Sequence, residues 1–254
     1  MRWIPIALLL SLPMRGAELK PKTLEAFDRY MQQTAARLNA PRTFLWADES
    51  PERVRRVRQG EIVVQPFTAQ PDIAVSGGLI HDWVGAVFIP GATLEKTLAM
   101  AQDYNRHKDI YKPDVLDSRL LSRDGNEFHI FLRLLKKKVI TVVLNTEHEV
   151  KYFPVDRTKW RSVSRTTKIA EVDKAGKTDE REKPPGTGEG FLWRLDTYWR
   201  FEERDGGTWV ECEAISLTRD VPTGLGWIVE PIIRGLPKES LENTLRAMRA
   251  ALTK

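Results

Sequence analysis

Cysteine and histidine are scarce in this chain of 254 residues. Cys212 is the single cysteine, so the chain can form no internal disulfide. The four histidines, His81, His107, His129 and His148, show none of the spacings typical of metal ligands. The sequence therefore predicts neither a disulfide framework nor a metal site, and it indicates no cofactor.

Phosphate-binding motifs are missing as well. The segment GATLEKT at residues 91–97 has the lysine and threonine of a P-loop but lacks the glycine that precedes that lysine. Gly186, Gly188 and Gly190 have the wrong spacing for a dinucleotide fingerprint. Neither segment indicates a nucleotide site.

A strong excess of one charge is also absent. The formal net charge of +5 is too small to argue for nucleic acid as a partner. Basic residues do cluster in ERVRRVR at residues 52–58 and in KKK at residues 136–138. Such a run is typically the solvated face of a strand, and weak contact with an anionic membrane surface is the alternative.

Long apolar runs are limited to the N-terminus. The run from Trp3 to Met14 is too short to span a bilayer, which takes about 20 apolar residues. A basic start precedes it, and the small residues Gly16 and Ala17 follow, which is the pattern of a secretory signal peptide over residues 1–17. Arg15 makes the cleavage site imperfect. The sequence predicts export, to the periplasm or the extracellular space.

The rest of the chain has the patterning of one α+β protein. Residues 18–78 are predicted to form an N-terminal extension, with an amphipathic helix over Thr23–Asn39 and a short strand over Glu61–Phe67. We expect a ligand-binding domain over residues 79–254, in which a strand and one or two helices precede about six antiparallel strands and a long terminal helix. The predicted strands are Leu79–Gly91, Val115–Ser122, Glu127–Lys137, Val139–Phe153, Trp160–Val172, Phe191–Glu203 and Thr208–Thr218. Residues 173–190 have no apolar periodicity and are predicted to form a long loop.

Strict alternation in FLWRLDTYWRF, residues 191–201, indicates a strand with one apolar face. The same alternation predicts which residues of the neighbouring strands face inward, and it places Glu211 and Glu213 on the solvent side. Polar and apolar residues do not alternate in residues 160–172, so no inner face is predicted for that strand. A sheet of about seven strands is roughly 30 Å wide, whereas one helix is about 10 to 12 Å across. We therefore expect the sheet to curve around the terminal helix and to leave a cavity, although a filled core would explain the alternation equally well.

The order of elements and several segments resemble the START-like superfamily, also called SRPBCC or helix-grip proteins. The similar segments are GLIHDWVGAVFIPGATLEKTLAMAQDY, SRLLSRDG and VECEAISLTRDVPTGLGWIVEPIIRGLPKESLENTLRAMRAAL. The resemblance covers about Leu79 to Leu252 and is strongest to bacterial members labelled polyketide cyclase/dehydrase or lipid-transport-like. It implies a curved antiparallel sheet that grips the terminal helix, with a ligand tunnel between them. Members bind sterols, phospholipids, plant hormones, quinones and aromatic polyketides, and a minority are enzymes. The family has no universal active-site residue, so no catalytic residue is carried over.

The predicted ligand-binding residues share the apolar parity of the strands or border the start of the terminal helix. They are Ile130, Leu132, Leu134, Val142, Leu144, His148, Tyr152, Trp193, Leu195, Trp199, Cys212, Ala214, Trp227 and Ile228.

Among these residues, His148 and Tyr152 could orient a ligand or act as acid or base, although a histidine satisfied by backbone or water is the commoner case. Cys212 is expected to be a small buried residue, and His107 to lie at the surface. His81 and Asp82 should point to opposite faces of their strand, so we expect no catalytic pair there.

Three functional hypotheses remain open at this point. The first is an exported protein that binds and carries a hydrophobic small molecule or lipid. The second is a cyclase or hydrolase acting on a hydrophobic substrate through His148, Tyr152 or nearby acids. The third is a partner-binding protein with a filled core.

Overall fold

The computed structural model describes residues 17–137, 141–220 and 226–253, and the side chains of residues 226–233 are outside that description. The predicted signal peptide, except Ala17, therefore lies outside the described residues. So do the side chains of Trp227 and Ile228.

The core of the fold is one antiparallel sheet. Its main strands follow the order β1-β3-β10-β9-β7-β6-β5-β4, while β2 pairs with β3, and β8 pairs with β7. The described strands are β1 Val63–Pro66, β2 Asp72–Val75, β3 Gly78–Pro90, β4 Val115–Asp124, β5 Glu127–Lys137, β6 Thr141–Pro154, β7 Lys159–Asp173, β8 Arg181–Glu182, β9 Arg194–Arg204 and β10 Gly207–Arg219. The expected curved antiparallel sheet around a long C-terminal helix, with an N-terminal helical extension, is confirmed.

The helices lie at both ends of the chain and between β3 and β4. They are α1 Pro21–Asn39, α2 Pro51–Arg58, α3 Leu94–Gln102, α4 His107–Ile110 and α5 Gly226–Leu252, with 3-10 turns over Trp46–Glu49 and Tyr104–Arg106. Pro21 and Pro51 begin α1 and α2, where a missing N–H costs nothing. None of the helices in the described part of the chain, α5 included, has the length and apolar character needed to cross a membrane.

Two tight hairpins set the register of the sheet, as the turn sequences predict. The β4–β5 hairpin turns at Gly125, with a φ of 54°. The β9–β10 hairpin turns at Asp205 and Gly206, with φ values of 58° and 76°. Left-handed backbone at both central residues suits the twist of paired strands. The β9–β10 hairpin therefore fixes which residues of these strands share a face.

The inner face of the sheet packs against the second half of α5. Leu241, Leu245 and Met248 are buried against a cluster that includes Val87 and Val210. β3 and α5 approach closely at Gly85, where an added Cβ would lie 2.7 Å from Leu245 Cδ1 and 3.0 Å from Val64 Cγ2. The glycine thus allows the helix to lie directly on the strand.

The N-terminal extension covers the outer face of β3 and β10. Glu211 and Glu213, predicted to face solvent, are instead buried. The Glu211 carboxylate accepts hydrogen bonds from the backbone N–H groups of Trp46 and Ala47 at 2.7 and 2.8 Å, and Glu213 pairs with Arg37 of α1. The solvent prediction was wrong because alternation identifies a polar face without showing what packs on it.

The basic run at residues 52–58 is also not a strand. It forms most of α2, with the Ser50 hydroxyl accepting a hydrogen bond from Arg53 N–H at the helix start. The guanidinium groups of Arg55 and Arg56 pair with Glu52 and Glu61. The helix buries Val57 beneath these pairs. The run therefore forms a locally balanced surface of acids and bases.

The long segment between β7 and β9 is tied to the sheet by the pairing of β8 with β7 and by one buried carboxylate. Glu171 of β7 accepts hydrogen bonds from the backbone N–H groups of Glu189 and Gly190 at 2.8 and 2.9 Å. The Ala17 N–H donates to the Gly188 carbonyl oxygen at 2.6 Å. The loop, predicted from its lack of periodicity, is thus joined to both β7 and the N-terminal extension.

The close approach at Gly85 predicts opposite tolerance at two glycines. Gly85→Val should lower the free energy of unfolding by about 1–3 kcal/mol, because the new methyl groups overlap Leu245 in a filled region. Gly235→Val in α5 is the control, since its added Cβ meets no atom within 4 Å. Urea unfolding measures both. An unchanged midpoint for Gly85→Val would contradict the described contact between β3 and α5.

Candidate functional site

A cavity of about 260 Å³ lies between the inner face of the sheet and α5. Among the described residues, the contacts of α5 with the sheet are mainly with β1, β3 and β10. β5, β6, β7 and β9 supply much of the cavity wall, and β10, the α3–α4 region and α5 supply most of the rest. An apolar cavity of roughly 150 Å³ already takes up benzene. The space is therefore large enough for a small lipophilic molecule.

Ten of the predicted ligand-binding residues lie in the wall of this cavity. They are Ile130, Leu132, Leu134, Leu144, His148, Tyr152, Leu195, Trp199, Cys212 and Ala214. The structure thus brings them together, while their role as ligand contacts stays a prediction.

Two predicted residues lie elsewhere. Val142 packs against the neighbouring cluster of Leu134, Leu144 and Ile169 and is outside the wall. Trp193 packs with Phe27 of α1, in the cluster on the outer face. Its placement in the wall was wrong because β9 begins only at Arg194, so the bend before that residue breaks the alternation.

One end of the cavity is aromatic, and the sequence did not predict most of it. Tyr104 packs tilted against His107 and Phe128, at ring distances of 4.7 and 5.4 Å, and Tyr152 packs edge-on to Phe128 at 5.5 Å. The Tyr152 hydroxyl lies 3.0 Å from the Tyr104 hydroxyl and 3.3 Å from the Ala101 carbonyl oxygen. Burial raises the pKa of Tyr152 to about 12, so the phenol stays neutral.

His107 is buried in this aromatic end, which corrects its predicted surface position. Its Nε2 lies 3.2 Å from the Ala101 carbonyl oxygen, and burial lowers its pKa to about 4. The charged neighbours Arg106 and Lys108 had suggested that the His107 side chain faces solvent. A helical turn directs neighbouring residues to different sides, so charged neighbours do not determine where this ring points.

His148 is buried in the wall with two polar neighbours. Its Nε2 lies 2.9 Å from Thr146 Oγ1, and its Nδ1 lies 3.5 Å from Ser164 Oγ on β7. Burial, with a smaller effect of His129, lowers its pKa to about 4, so the ring is neutral near pH 7. A neutral imidazole with so low a pKa is a good hydrogen-bonding group but a weak base.

Sequence alternation did not identify β7 as part of the wall. Ser162 and Ser164 line the cavity, but serines give no apolar signal. A register shift between β6 and β7 at Glu147 and His148 also interrupts the alternation. The strand left unassigned from sequence therefore contributes two hydroxyl groups to the wall.

Two charged residues lie at the other end of β5. Lys136 and Asp114 line the cavity, and the Lys136 ammonium donates to Ser240 Oγ of α5 at 2.8 Å. Burial lowers the pKa of Lys136, against the opposing effects of Asp114 and Glu239. The cavity thus has an aromatic end and a charged end.

Cys212 and His81 do not form nucleophilic sites. Burial raises the pKa of the Cys212 thiol well above its usual value, which disfavours the thiolate. His81 and Asp82 point to opposite faces, as expected: His81 contacts Asp72 and Thr218 at 2.7 and 2.9 Å, whereas Asp82 accepts from a tyrosine of α1. Within the described ranges, no group of three or more histidine, cysteine, aspartate or glutamate side chains could hold a metal ion.

Comparison of the whole fold places this geometry among known structures. The chain is similar to the STAR-related lipid transfer protein of Xanthomonas axonopodis (fragment 25–204), with a TM-score of 0.50 and 15% identity over 76% of this chain and 99% of that chain. This protein has the START-like fold. At this identity the likeness shows the fold alone.

Two other solved structures have lower TM-scores. The protein TTHA0849 from Thermus thermophilus has a TM-score of 0.48 and 15% identity, over 67% of this chain and 95% of that chain. The Zhui aromatase/cyclase from Streptomyces sp. R1128 has a TM-score of 0.43 and 15% identity, over 68% and 94%. No family model matches the sequence, and no curated protein does.

The lowered pKa of His148 predicts a pH dependence of stability. The unfolded chain binds a proton at this ring below pH about 6.5, whereas the folded protein does so only near pH 4. The free energy of unfolding should therefore fall as pH drops through this window. His148→Phe should lessen that fall by up to about 1.4 kcal/mol per pH unit, the effect of one proton. His107→Phe should lessen the fall in the free energy of unfolding by a similar amount, because burial also lowers the pKa of His107 to about 4.

Urea unfolding at pH 7, 6, 5 and 4 measures this effect. A His148→Phe protein with the same loss of stability as the wild type over this range would contradict the buried, neutral state of the ring.

Proposed function

We propose that the protein binds and carries a hydrophobic small molecule or lipid in the cavity between the sheet and α5. The observation that carries this proposal is the wall itself, in which apolar side chains of β5, β6, β9 and β10 surround a space that no described side chain fills. Affinity would come from apolar area removed from water, about 25 cal/mol per Å², with the few polar groups fixing orientation.

Two further observations support binding over catalysis. Three titratable groups of the wall, His148, Tyr152 and Cys212, are held in their neutral forms, because burial shifts their pKa values in that direction. The Xanthomonas protein that shares the fold is named a lipid transfer protein. A cyclase or hydrolase activity stays an alternative that a turnover assay with His148→Ala would test.

Export is part of the proposal, because a signal-peptide pattern precedes the described residues. A carrier in the periplasm or outside the cell would move a lipophile through water between membranes. Contact with an anionic membrane stays a prediction, and the paired arginines of α2 give it little support.

Bound lipophile is the direct test of this function. The full chain, isolated gently from its native host, should show by native mass spectrometry an added mass that organic extraction removes. Ala214→Phe should abolish that mass, because the phenyl ring occupies the cavity from β10. Ala36→Phe, at an exposed position of α1, is the matched control and should retain it.

The proposal would be wrong if the wild-type protein carried no extractable lipophile and took none up from a lipid extract. It would also be wrong if Ala214→Phe, folded by circular dichroism, retained the same bound mass as Ala36→Phe.

Export has its own expected outcome. The chain with a C-terminal tag, expressed in a bacterial host, should appear in the periplasmic or secreted fraction with a new N-terminus near Ala17. Mass measurement of the intact chain identifies the cut. Recovery of the uncleaved chain in the cytoplasm alone would contradict export.

A further inference from the structure

The hydrogen bonds of Thr146 assign a proton position to His148. Thr146 Oγ1 lies 3.0 Å from the Leu132 carbonyl oxygen, to which we assign its single proton. With that assignment Thr146 Oγ1 accepts at the 2.9 Å contact with His148 Nε2, and that nitrogen carries the proton. Because the ring is neutral, Nδ1 has none and is a hydrogen-bond acceptor.

This acceptor is weakly engaged within the protein. The contact from Ser164 Oγ to His148 Nδ1 is 3.5 Å long, at the limit for a hydrogen bond. Both side chains line the cavity, and His148 is 4% exposed. A buried acceptor without a good donor costs free energy. A ligand that donates a hydrogen bond to His148 Nδ1 would recover that free energy.

Hydroxyl donors lie beside the acceptor. Ser164 of β7 is paired in register with Thr197 of β9, and both line the cavity. Thr197 Oγ1 accepts from Trp199 Nε1 at 3.1 Å, which leaves its own proton to donate. His148, Ser164 and Thr197 thus form a row across three strands, which we call the polar row. It offers one acceptor and two hydroxyl donors.

The charged end of the cavity is far from the polar row. Ile130 is the register partner of His148, and Lys136 lies six residues further along β5, about 20 Å at 3.3 Å per residue. Lys136 and Asp114 are the charged residues of the described wall. A carboxylate at the polar row would be desolvated without a cation beside it, which is costly.

We propose that the polar row selects a neutral lipophile that carries a hydroxyl group, an alcohol or a phenol, whose proton is donated to His148 Nδ1 and whose oxygen accepts from Ser164 or Thr197. This inference rests on the proposed function, since it specifies the ligand of the same cavity.

Three naphthalene derivatives of nearly equal shape test the proposal. Naphthol both donates and accepts, methoxynaphthalene only accepts, and naphthoate is an anion. Calorimetric titration of the wild-type full chain should show naphthol binding about tenfold tighter than methoxynaphthalene, the effect of one buried hydrogen bond. Naphthoate should bind most weakly.

Removal of the acceptor should remove the preference. In His148→Phe the two neutral probes should bind with equal affinity within about twofold. His129→Gln is the matched control, because His129 lies next to Ile130 on the opposite face of β5, partly exposed and beside Glu147. It should keep the tenfold preference.

A measurement on the wild-type protein covers the case in which His148→Phe does not fold. Nitrogen-15 NMR of the histidine rings should show a neutral His148 protonated at Nε2. Naphthol, but not methoxynaphthalene, should shift the Nδ1 resonance. A proton at Nδ1 or equal shifts would overturn the proposal.

The outcomes separate the two proposals. Equal binding of naphthol and methoxynaphthalene, or tightest binding of naphthoate, would overturn the hydroxyl preference and leave the carrier function standing. No binding of any probe, together with no bound lipophile from the host, would overturn the carrier function, and the hydroxyl preference with it.

Discussion

The structure depends on a mismatch between the apolar inner face of a wide sheet and the narrow terminal helix α5 that packs on part of it. The eight strands of the main path span roughly 34 Å, whereas α5 is about 10 to 12 Å across. α5 lies on β1, β3 and β10, and its close contact at Gly85 places it at that side of the sheet. The inner faces of β5, β6, β7 and β9 line much of the cavity beside it.

Polar groups inside such a space must find partners within the wall. Tyr104 and Tyr152 satisfy each other at the aromatic end, and Lys136 reaches Ser240 at the charged end. The polar row lies between these ends and is the part of the wall with hydrogen-bonding capacity to spare, because the contact between His148 and Ser164 is long. Orientation of a ligand would therefore depend on this row, while its affinity would depend on the surrounding apolar surface.

Much of the sheet could be predicted from the sequence because the strands alternate over long stretches. β5 has the bounds that its alternation predicts, and the terminal helix follows from its apolar spacing. Prediction failed where a second layer or a local bend decides the environment. Glu211 is buried because a distant segment donates two backbone N–H groups to it, and Trp193 turns outward because β9 starts at Arg194, three residues after the predicted start at Phe191.

The residues of the cavity wall were also predicted only in part from the sequence. Apolar members such as Leu144 were predicted from alternation, whereas Ser162 and Ser164 were not, because hydroxyl side chains look alike on wet and dry faces. His107 was misassigned because its charged neighbours point elsewhere. Burial in the folded wall, which alternation does not encode, keeps the His148 ring neutral.

The ion pair between Arg37 and Glu213 joins residues 176 positions apart in the chain. During synthesis α1 emerges long before β10, the strand that it covers, has been made. The contacts of the helix with β10 can form only after the β9–β10 hairpin has closed, although its contact with Asp82 of β3 can form earlier. Since contacts of such long sequence separation form slowly, covering of the outer face belongs to the final stage of folding.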